Sequence, residues 1–206
     1  MWRRYLRFEP VSRITAFCGG HFAPKYTRRY GRDNLIFEIE GRAFHSILPL
    51  LPKPWLARGM GSGRLAPFLD IPQGMEKERN LLKMTRARKV PVIFTFCLTP
   101  SPALFLKECH HLLRREGKIL IGFIPRESPW GRFYMETQKG RRPTHRWGQF
   151  YSLKKMEHIM MDAGFSIQGY ISTLFQKPGA VKVLENPMRG YLPQAGFLII
   201  MGERMN

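Results

Sequence analysis

Apolar residues recur every three or four positions in three stretches of the chain, and this spacing predicts three amphipathic helices. The first stretch follows Asp33 and Asn34, either of which can cap a helix, and it stops before Pro49. The second opens at Ser101 and the third at Ser152, and residues 79–89 predict a further, basic helix. The apolar positions that define the three stretches are Ile36, Ile39, Ala43, Phe44, Ile47 and Leu48, then Phe105, Cys109, Leu112 and Leu113, and finally Leu153, Met156, Ile159 and Met160.

Apolar runs of strand length alternate with these helices. They cover residues 55–58, 92–98, 119–124, 167–175 and 197–201. The segment 125–149 is polar and basic, and it is predicted to be a loop. The alternation of strand and helix predicts an α/β protein whose sheet is mostly parallel, with an antiparallel pair of strands at its C-terminal end.

The chain carries a large positive charge. Its 206 residues include 34 Lys and Arg against 15 Asp and Glu, a formal net charge of +19. A field of this sign favours polyanions such as RNA, DNA or an anionic membrane surface. The alternative is a solvated basic surface, because no recognised nucleic-acid-binding module accompanies the charge. Residues 1–30 are basic and lack periodicity, so we expect an N-terminal arm there and one domain over residues 31–206.

The three cysteines are odd in number and include no C-x-x-C pair. They argue against a disulfide framework and predict a reducing compartment, which we take to be the cytoplasm. No apolar run approaches the ~20 residues that span a bilayer, so no membrane span is predicted. We predict no metal site either, because His110 and His111 face different directions on a helix and nothing supplies the remaining ligands.

A glycine-rich turn, Gly59-Met60-Gly61-Ser62-Gly63, follows the first strand-sized run. Without Cβ atoms its backbone can adopt positive φ and approach a ligand closely, while the next helix presents free N–H groups. These properties suit a nucleotide-like ligand. The alternative is an ordinary loop between a strand and a helix.

An acidic residue, Glu76, ends the segment that follows this turn. An acid at about this distance can accept hydrogen bonds from the two hydroxyls of a ribose, as in dinucleotide-binding folds. The alternative is a glutamate at the start of a helix, stabilised by the helix dipole.

The glycine turn and the segment Lys118–Arg132, with its Ser-Pro-Trp-Gly-Arg sequence, together resemble the class I S-adenosylmethionine-dependent methyltransferases. More narrowly, they are similar to the small-molecule branch often labelled type 11. The ordered series of matches covers about residues 30–202. The resemblance implies a Rossmann-like sheet with helices on both faces, and S-adenosylmethionine as the cofactor. It assigns cofactor binding to Gly59, Gly61, Ser62, Gly63 and Glu76.

The same resemblance identifies residues 122–134 and 145–152 as a lid on the substrate side. In that lid, Arg126, Trp130, Tyr134 and His145 are the candidates for lining a pocket for a small-molecule methyl acceptor. The alternatives are that the aromatic rings pack within the protein and that His145 is solvated.

Two departures from the family pattern concern the cofactor site. Ala57 stands where the family has an acidic residue two positions before the first glycine, and Arg58 is next to the turn. In addition, residues 89–91 run straight into the segment that resembles the fourth strand. One βαβ unit needs roughly 30 residues, and about that many are missing between the second and fourth strands.

The sequence therefore predicts a methyltransferase-like protein whose activity is impaired or lost if the shortened site cannot hold its cofactor. We name no catalytic residue, because methyl transfer depends mainly on alignment of the acceptor with the sulfonium. Two alternatives stay open. One is a non-enzymatic, degenerate relative that keeps the sheet, and the other is a basic RNA-associated protein, including an RNA methyltransferase.

Overall fold

A computed structural model of the protein describes residues 34–48, 56–58, 92–95, 102–137, 139 and 149–205. The predicted arm, the glycine turn and the predicted basic helix lie outside these ranges. The described helices and strands are, in chain order, α1 (Asn34–His45), β1 (Leu56–Arg58), β2 (Val92–Thr95), α2 (Pro102–Leu112), β3 (Lys118–Phe123), α3 (Pro129–Thr137), α4 (Leu153–Asp162), β4 (Phe165–Thr173), β5 (Met188–Arg189) and β6 (Phe197–Arg204).

The six described strands form one sheet in the order β1-β2-β3-β6-β4-β5. β1, β2 and β3 pair in parallel, whereas the pairs β3–β6, β6–β4 and β4–β5 are antiparallel. The predicted antiparallel strand pair at the C-terminal end is confirmed, because β4 and β6 pair along their length. The mostly parallel sheet stays a prediction, since most of the described pairings are antiparallel.

Helices cover both faces of this sheet. On one face, the ring of Phe44 in α1 packs edge-on against Phe197 in β6, with ring centroids 6.1 Å apart. On the other face, Met160 of α4 lies so close to Gly202 that a Cβ there would be 2.7 Å from the methionine methyl group. Phe197 and Gly202 are five positions apart on one strand, and side chains alternate between faces, so the two helices lie on opposite sides.

The ends of the parallel strands define one edge of the sheet. Arg58, Thr95 and Phe123 end β1, β2 and β3, which run in the same direction. Phe123 pairs with Leu198, so the neighbouring pair of Thr173 and Phe197 lies at this edge too. We call it the carboxyl edge. Ligands of open α/β sheets bind at this edge.

The helix α4 is fixed at its start by two hydrogen bonds and is followed by a glycine. The Ser152 hydroxyl accepts a hydrogen bond from the backbone N–H of Lys155 at 3.2 Å, which is the capping bond its position in the sequence predicts. Glu127, which lies just before α3 in the chain, accepts a second hydrogen bond, from the backbone N–H of Leu153 at 2.9 Å. Gly164 follows the helix with a φ of +88°, a conformation that glycine adopts without strain.

Candidate functional site

The carboxyl edge carries the segments that the sequence singles out. Gly59 directly follows the last residue of β1, and the segment that resembles a substrate-side lid begins with the last two residues of β3. The predicted cofactor residues Gly59, Gly61, Ser62, Gly63 and Glu76 lie outside the described residues, as does His145. The described part of the site is therefore its lid, which we define as residues 125–137 together with Phe150 and Tyr151.

The lid contains a helix where the sequence predicts a loop. Ser128 caps α3, because its hydroxyl accepts the backbone N–H of Gly131 at 3.0 Å and donates to the Pro125 carbonyl at 2.7 Å. Pro129 occupies the first helical position, where its missing N–H costs nothing. A Cβ on Gly131 would lie 2.1 Å from the Pro125 carbonyl oxygen, so this turn requires glycine. The Ser-Pro-Trp-Gly sequence is thus a compact start for the lid helix.

Trp130 anchors the lid helix to the rest of the protein. Its side chain is only 2% exposed, and its indole N–H donates a 2.7 Å hydrogen bond to the backbone carbonyl of Gln176. The ring lies against the backbone of Gly196, where a Cβ would be 2.1 Å from a ring carbon. The predicted contact of Trp130 with a substrate stays untested, and the structure gives this residue an anchoring role.

Tyr134 and Phe150 form the more open part of the lid. Their rings are stacked with centroids 6.0 Å apart and an angle of 12° between planes. Phe133 packs edge-on against Tyr134 at 5.6 Å and is 37% exposed. Arg126 is exposed at the start of the lid, and its backbone N–H donates to the Tyr151 carbonyl at 2.9 Å. The structure thus brings Arg126, Trp130 and Tyr134 into one unit at the carboxyl edge.

A segment that the sequence does not single out holds the anchor of the lid. Residues 175–187, which we call the strap, connect β4 to β5. The Glu185 carboxylate accepts the backbone N–H groups of Phe175 and Gln176, at 2.7 and 2.8 Å. The Gln176 side chain accepts the N–H of Lys182 at 2.8 Å and donates to the Val183 carbonyl at 2.7 Å. No sequence signal marks Glu185, because its partners are backbone groups nine and ten residues away.

A buried carboxylate, that of Glu40, was also missed. It lies on the buried face of α1, is 3% exposed, and is joined to none of the described residues by a hydrogen bond or ion pair. Burial raises the pKa of its carboxyl to about 8. The signal was available, since Glu40 lies one turn from both Ile36 and Phe44 on the apolar stripe.

Another buried polar atom lies on the same face of the sheet as α1. The Thr173 hydroxyl has no hydrogen-bond partner among the described residues, although the side chain is fully buried. Its cross-strand partner is Phe197, whose ring contacts α1 through Phe44. Buried polar atoms are usually paired, so the Thr173 hydroxyl is an exception at the carboxyl edge.

The described residues contain no group of three His, Cys, Asp or Glu that could hold a metal ion. His110 packs edge-on against Phe165 at 5.5 Å, and burial, with the nearby charges of Arg204 and His111, lowers its pKa although the backbone of Met205 opposes the shift. None of the described helices is long and apolar enough to cross a membrane.

Comparisons with known proteins agree on the class of fold. No family model matches the chain. The uncharacterized protein Rv2003c of Mycobacterium tuberculosis is 29% identical over 221 residues, which cover 95% of this chain and 77% of that protein. The S-adenosylmethionine-dependent methyltransferase TM1293 of Thermotoga maritima, described as a possible histamine N-methyltransferase, superposes with a TM-score of 0.71 at 25% identity, covering 94% of this chain and 99% of that one.

A further solved structure extends the comparison to a more distant protein. The plantazolicin methyltransferase BpumL, in complex with S-adenosylhomocysteine, superposes with a TM-score of 0.52 at 10% identity and covers 95% of both chains. At this identity the similarity concerns the fold alone. The resemblance that the sequence indicates is therefore confirmed: the chain has the class I fold of the S-adenosylmethionine-dependent methyltransferases.

Proposed function

We propose that the protein is an S-adenosylmethionine-dependent methyltransferase that acts on a small molecule. The observation that carries this proposal is that the strands leading into two of the matched segments, β1 and β3, both end at the carboxyl edge. β1 ends there one residue before the glycine turn, and the aromatic lid follows β3 at the same edge. The similarity to TM1293, which extends over nearly all of both chains, supports the same activity.

Cofactor binding falls to the glycine turn and Glu76. The three glycines of the turn leave its backbone open just after the end of a parallel strand, the place where such sheets bind nucleotide-like ligands. Gly59, Gly61, Ser62 and Gly63 would pass beneath the methionine and ribose portion, and Glu76 would accept hydrogen bonds from the ribose hydroxyls. When bound, the cofactor supplies a methyl group on a positively charged sulfur.

The residues of the lid orient the acceptor. Tyr134 and Phe150 present stacked rings, and exposed Arg126 adds a positive charge at the start of the lid. His145 would be a further residue lining the acceptor site. Holding a nucleophile in line with the methyl group is sufficient for large rate gains, so the proposal assigns these residues to alignment and not to acid–base chemistry.

We further propose that this Rossmann-like, mostly parallel sheet lacks one βαβ unit between Glu76 and Val92. The match with Rv2003c extends over 221 residues, whereas 95% of 206 residues is about 196, so about 25 aligned positions have no residue in this chain. A missing strand leaves the adenine side open and removes apolar burial worth about 25 cal/mol per Å². Together with Ala57 in place of an acid, this shortening makes weak cofactor binding the expected outcome.

Calorimetric titration with S-adenosylhomocysteine tests the proposal directly. We expect binding to the whole chain, and Glu76→Ala should weaken it by about 1–3 kcal/mol because charge-assisted hydrogen bonds to the ribose are lost. Glu136→Ala, which removes an exposed carboxylate of the lid helix, is the matched control and should bind as the natural chain does. Absence of binding by the natural chain would favour a degenerate relative that keeps only the fold.

The +19 charge favours a second candidate function, binding to nucleic acid. Such binding would be independent of sequence and sensitive to salt, with the slope of log K against log salt steepening by roughly 0.9 for each phosphate neutralised on duplex DNA. Thermal stabilisation separates the candidates: cofactor alone stabilises the enzyme, and RNA alone stabilises an RNA-associated protein. Affinity that does not change between low and high salt would contradict electrostatic binding.

We place the protein in the cytoplasm. Cys109 is buried in the structure, and the odd number of cysteines leaves no complete disulfide framework. A reducing compartment suits this chemistry.

A further inference from the structure

A hydrogen bond to the backbone carbonyl of Gln176 joins the strap to the lid. The Gln176 carbonyl accepts the indole N–H of Trp130, and the peptide groups on both sides of Phe175 donate to the Glu185 carboxylate. These bonds form one path from Glu185 through the Gln176 backbone to the buried anchor of α3. Every bond along it is between 2.7 and 2.8 Å long.

The backbone next to Phe175 has an unfavourable conformation that these hydrogen bonds help to hold. Leu174, immediately before the two donating residues, has a φ of +63°, in the left-handed region that disfavours a residue with a Cβ. Its carbonyl accepts the Gly196 N–H at 2.8 Å, and its side chain is fully buried. Unfavourable conformations persist only where the surroundings hold them, and they concentrate at functional sites.

We infer that Glu185 is a positioning residue for the lid. Its carboxylate fixes the direction of the Gln176 carbonyl, which sets the place of Trp130 and with it the neighbouring ring of Tyr134, whose centroid is 5.7 Å from that of Trp130. Without the carboxylate, two N–H groups lose their acceptor and the strained turn is free to relax. The lid then keeps its helix but loses its fixed position on the carboxyl edge. The consequence for acceptor binding rests on the proposed function, whereas the coupling between strap and lid does not.

Hydrogen exchange on the whole chain tests the coupling. In Glu185→Ala we expect exchange of the Trp130 indole N–H, followed by NMR, and of the α3 amides to accelerate at least about tenfold, since hydrogen bonds to a charged group are lost. The amides of α4, which the strap does not contact through these bonds, should keep their rates. Glu185→Gln retains one carbonyl acceptor, so its α3 exchange rates should lie between those of the natural chain and those of Glu185→Ala.

Two comparisons separate positioning from a loss of general stability. Glu136→Ala removes a carboxylate from α3 itself and should leave the exchange of Trp130 unchanged. Trp130→Phe keeps the buried ring but removes the donor, so it should accelerate α3 exchange as Glu185→Ala does, and the double variant should add nothing further. Additive effects, or equal acceleration in α3 and α4, would overturn the inference.

The affinity for S-adenosylhomocysteine keeps this inference distinct from the proposed function. Its expected site, the glycine turn, follows β1, whereas the strap follows β4, and three strands separate β1 from β4 in the sheet. Glu185→Ala should therefore bind it with unchanged affinity. If the natural chain does not bind S-adenosylhomocysteine, the proposed function fails while the exchange data still decide the coupling. If binding is normal and Trp130 exchange is unaltered in Glu185→Ala, the positioning role is wrong.

Discussion

Two glutamates, Glu185 in the strap and Glu40 in α1, show opposite ways of placing a carboxylate inside a protein. Glu185 is partly buried, and both of its oxygens accept backbone N–H groups. Glu40 is almost completely buried on α1, without a bonded partner among the described residues, and its pKa is raised to about 8. The first orders the backbone around it, whereas burial favours the protonated form of the second. The two side chains therefore differ both in burial and in hydrogen bonding.

The largest expected effect concerns Glu40 and its dependence on pH. Its ordinary pKa is 4.5, and the folded value is about 8, so between these values the folded state holds a proton that the unfolded state has released. Its contribution to stability is therefore greatest below pH 4.5, falls as the pH rises, and is fully lost above about pH 8. Glu40→Gln removes this loss and should raise the free energy of unfolding at pH 9 by on the order of 3–5 kcal/mol.

Denaturant unfolding of both chains at pH 5 and pH 9 measures this effect. The difference in stability between the variant and the natural chain should grow with pH. A constant difference across the range would mean that Glu40 ionises normally, and that a group outside the described residues neutralises it.

Glu185→Ala should have a smaller and opposite effect. Two backbone N–H groups lose a charged acceptor, which we expect to lower the free energy of unfolding by about 2–3 kcal/mol near neutral pH. Thermal and denaturant unfolding check the value. A loss well below 1 kcal/mol would mean that water replaces the carboxylate at no cost, and that the contrast with Glu40 is weaker than the structure indicates.

Removal of an exposed carboxylate should change the free energy of unfolding least. Glu136 pairs with Lys139 on the surface, where both side chains are more than two-thirds exposed. Such pairs contribute little, so Glu136→Ala should change the free energy of unfolding by no more than about 0.5 kcal/mol. A larger change, measured by the same unfolding method, would show that charge as such governs stability in this basic chain.

Periodicity predicted most of the regular elements that the structure describes. The apolar stripe after Asn34, the run that begins at Val92 and the cap at Ser152 all correspond to elements of the structure, because each is encoded by neighbouring residues. The lid helix was missed for the opposite reason. Its sequence is polar and contains Pro129 and Gly131, and its stability comes from the Ser128 cap and from burial of Trp130.

The candidate site shows even more clearly that contacts formed only on folding cannot be predicted from neighbouring residues. Arg126, Trp130 and Tyr134 were predicted from a motif, and the structure brings them together at the carboxyl edge. Glu185 could not be predicted, because its role depends on a turn whose residues approach it only after folding. Glu40 was visible as an acid on an apolar stripe, but only the packed helix shows that it is cut off from water.

The strand order carries a consequence for how the chain reaches this structure. β6 is the last described strand along the chain, yet it lies between β3 and β4 in the sheet. Until it is in place, β3 and β4 each present an unpaired strand edge, and such edges invite pairing with other molecules. Insertion of a late strand into the middle also requires contacts between distant parts of the chain, which slows folding. During synthesis the two halves of the sheet therefore remain separate until β6 is available, and this interval is when the chain is most prone to aggregate.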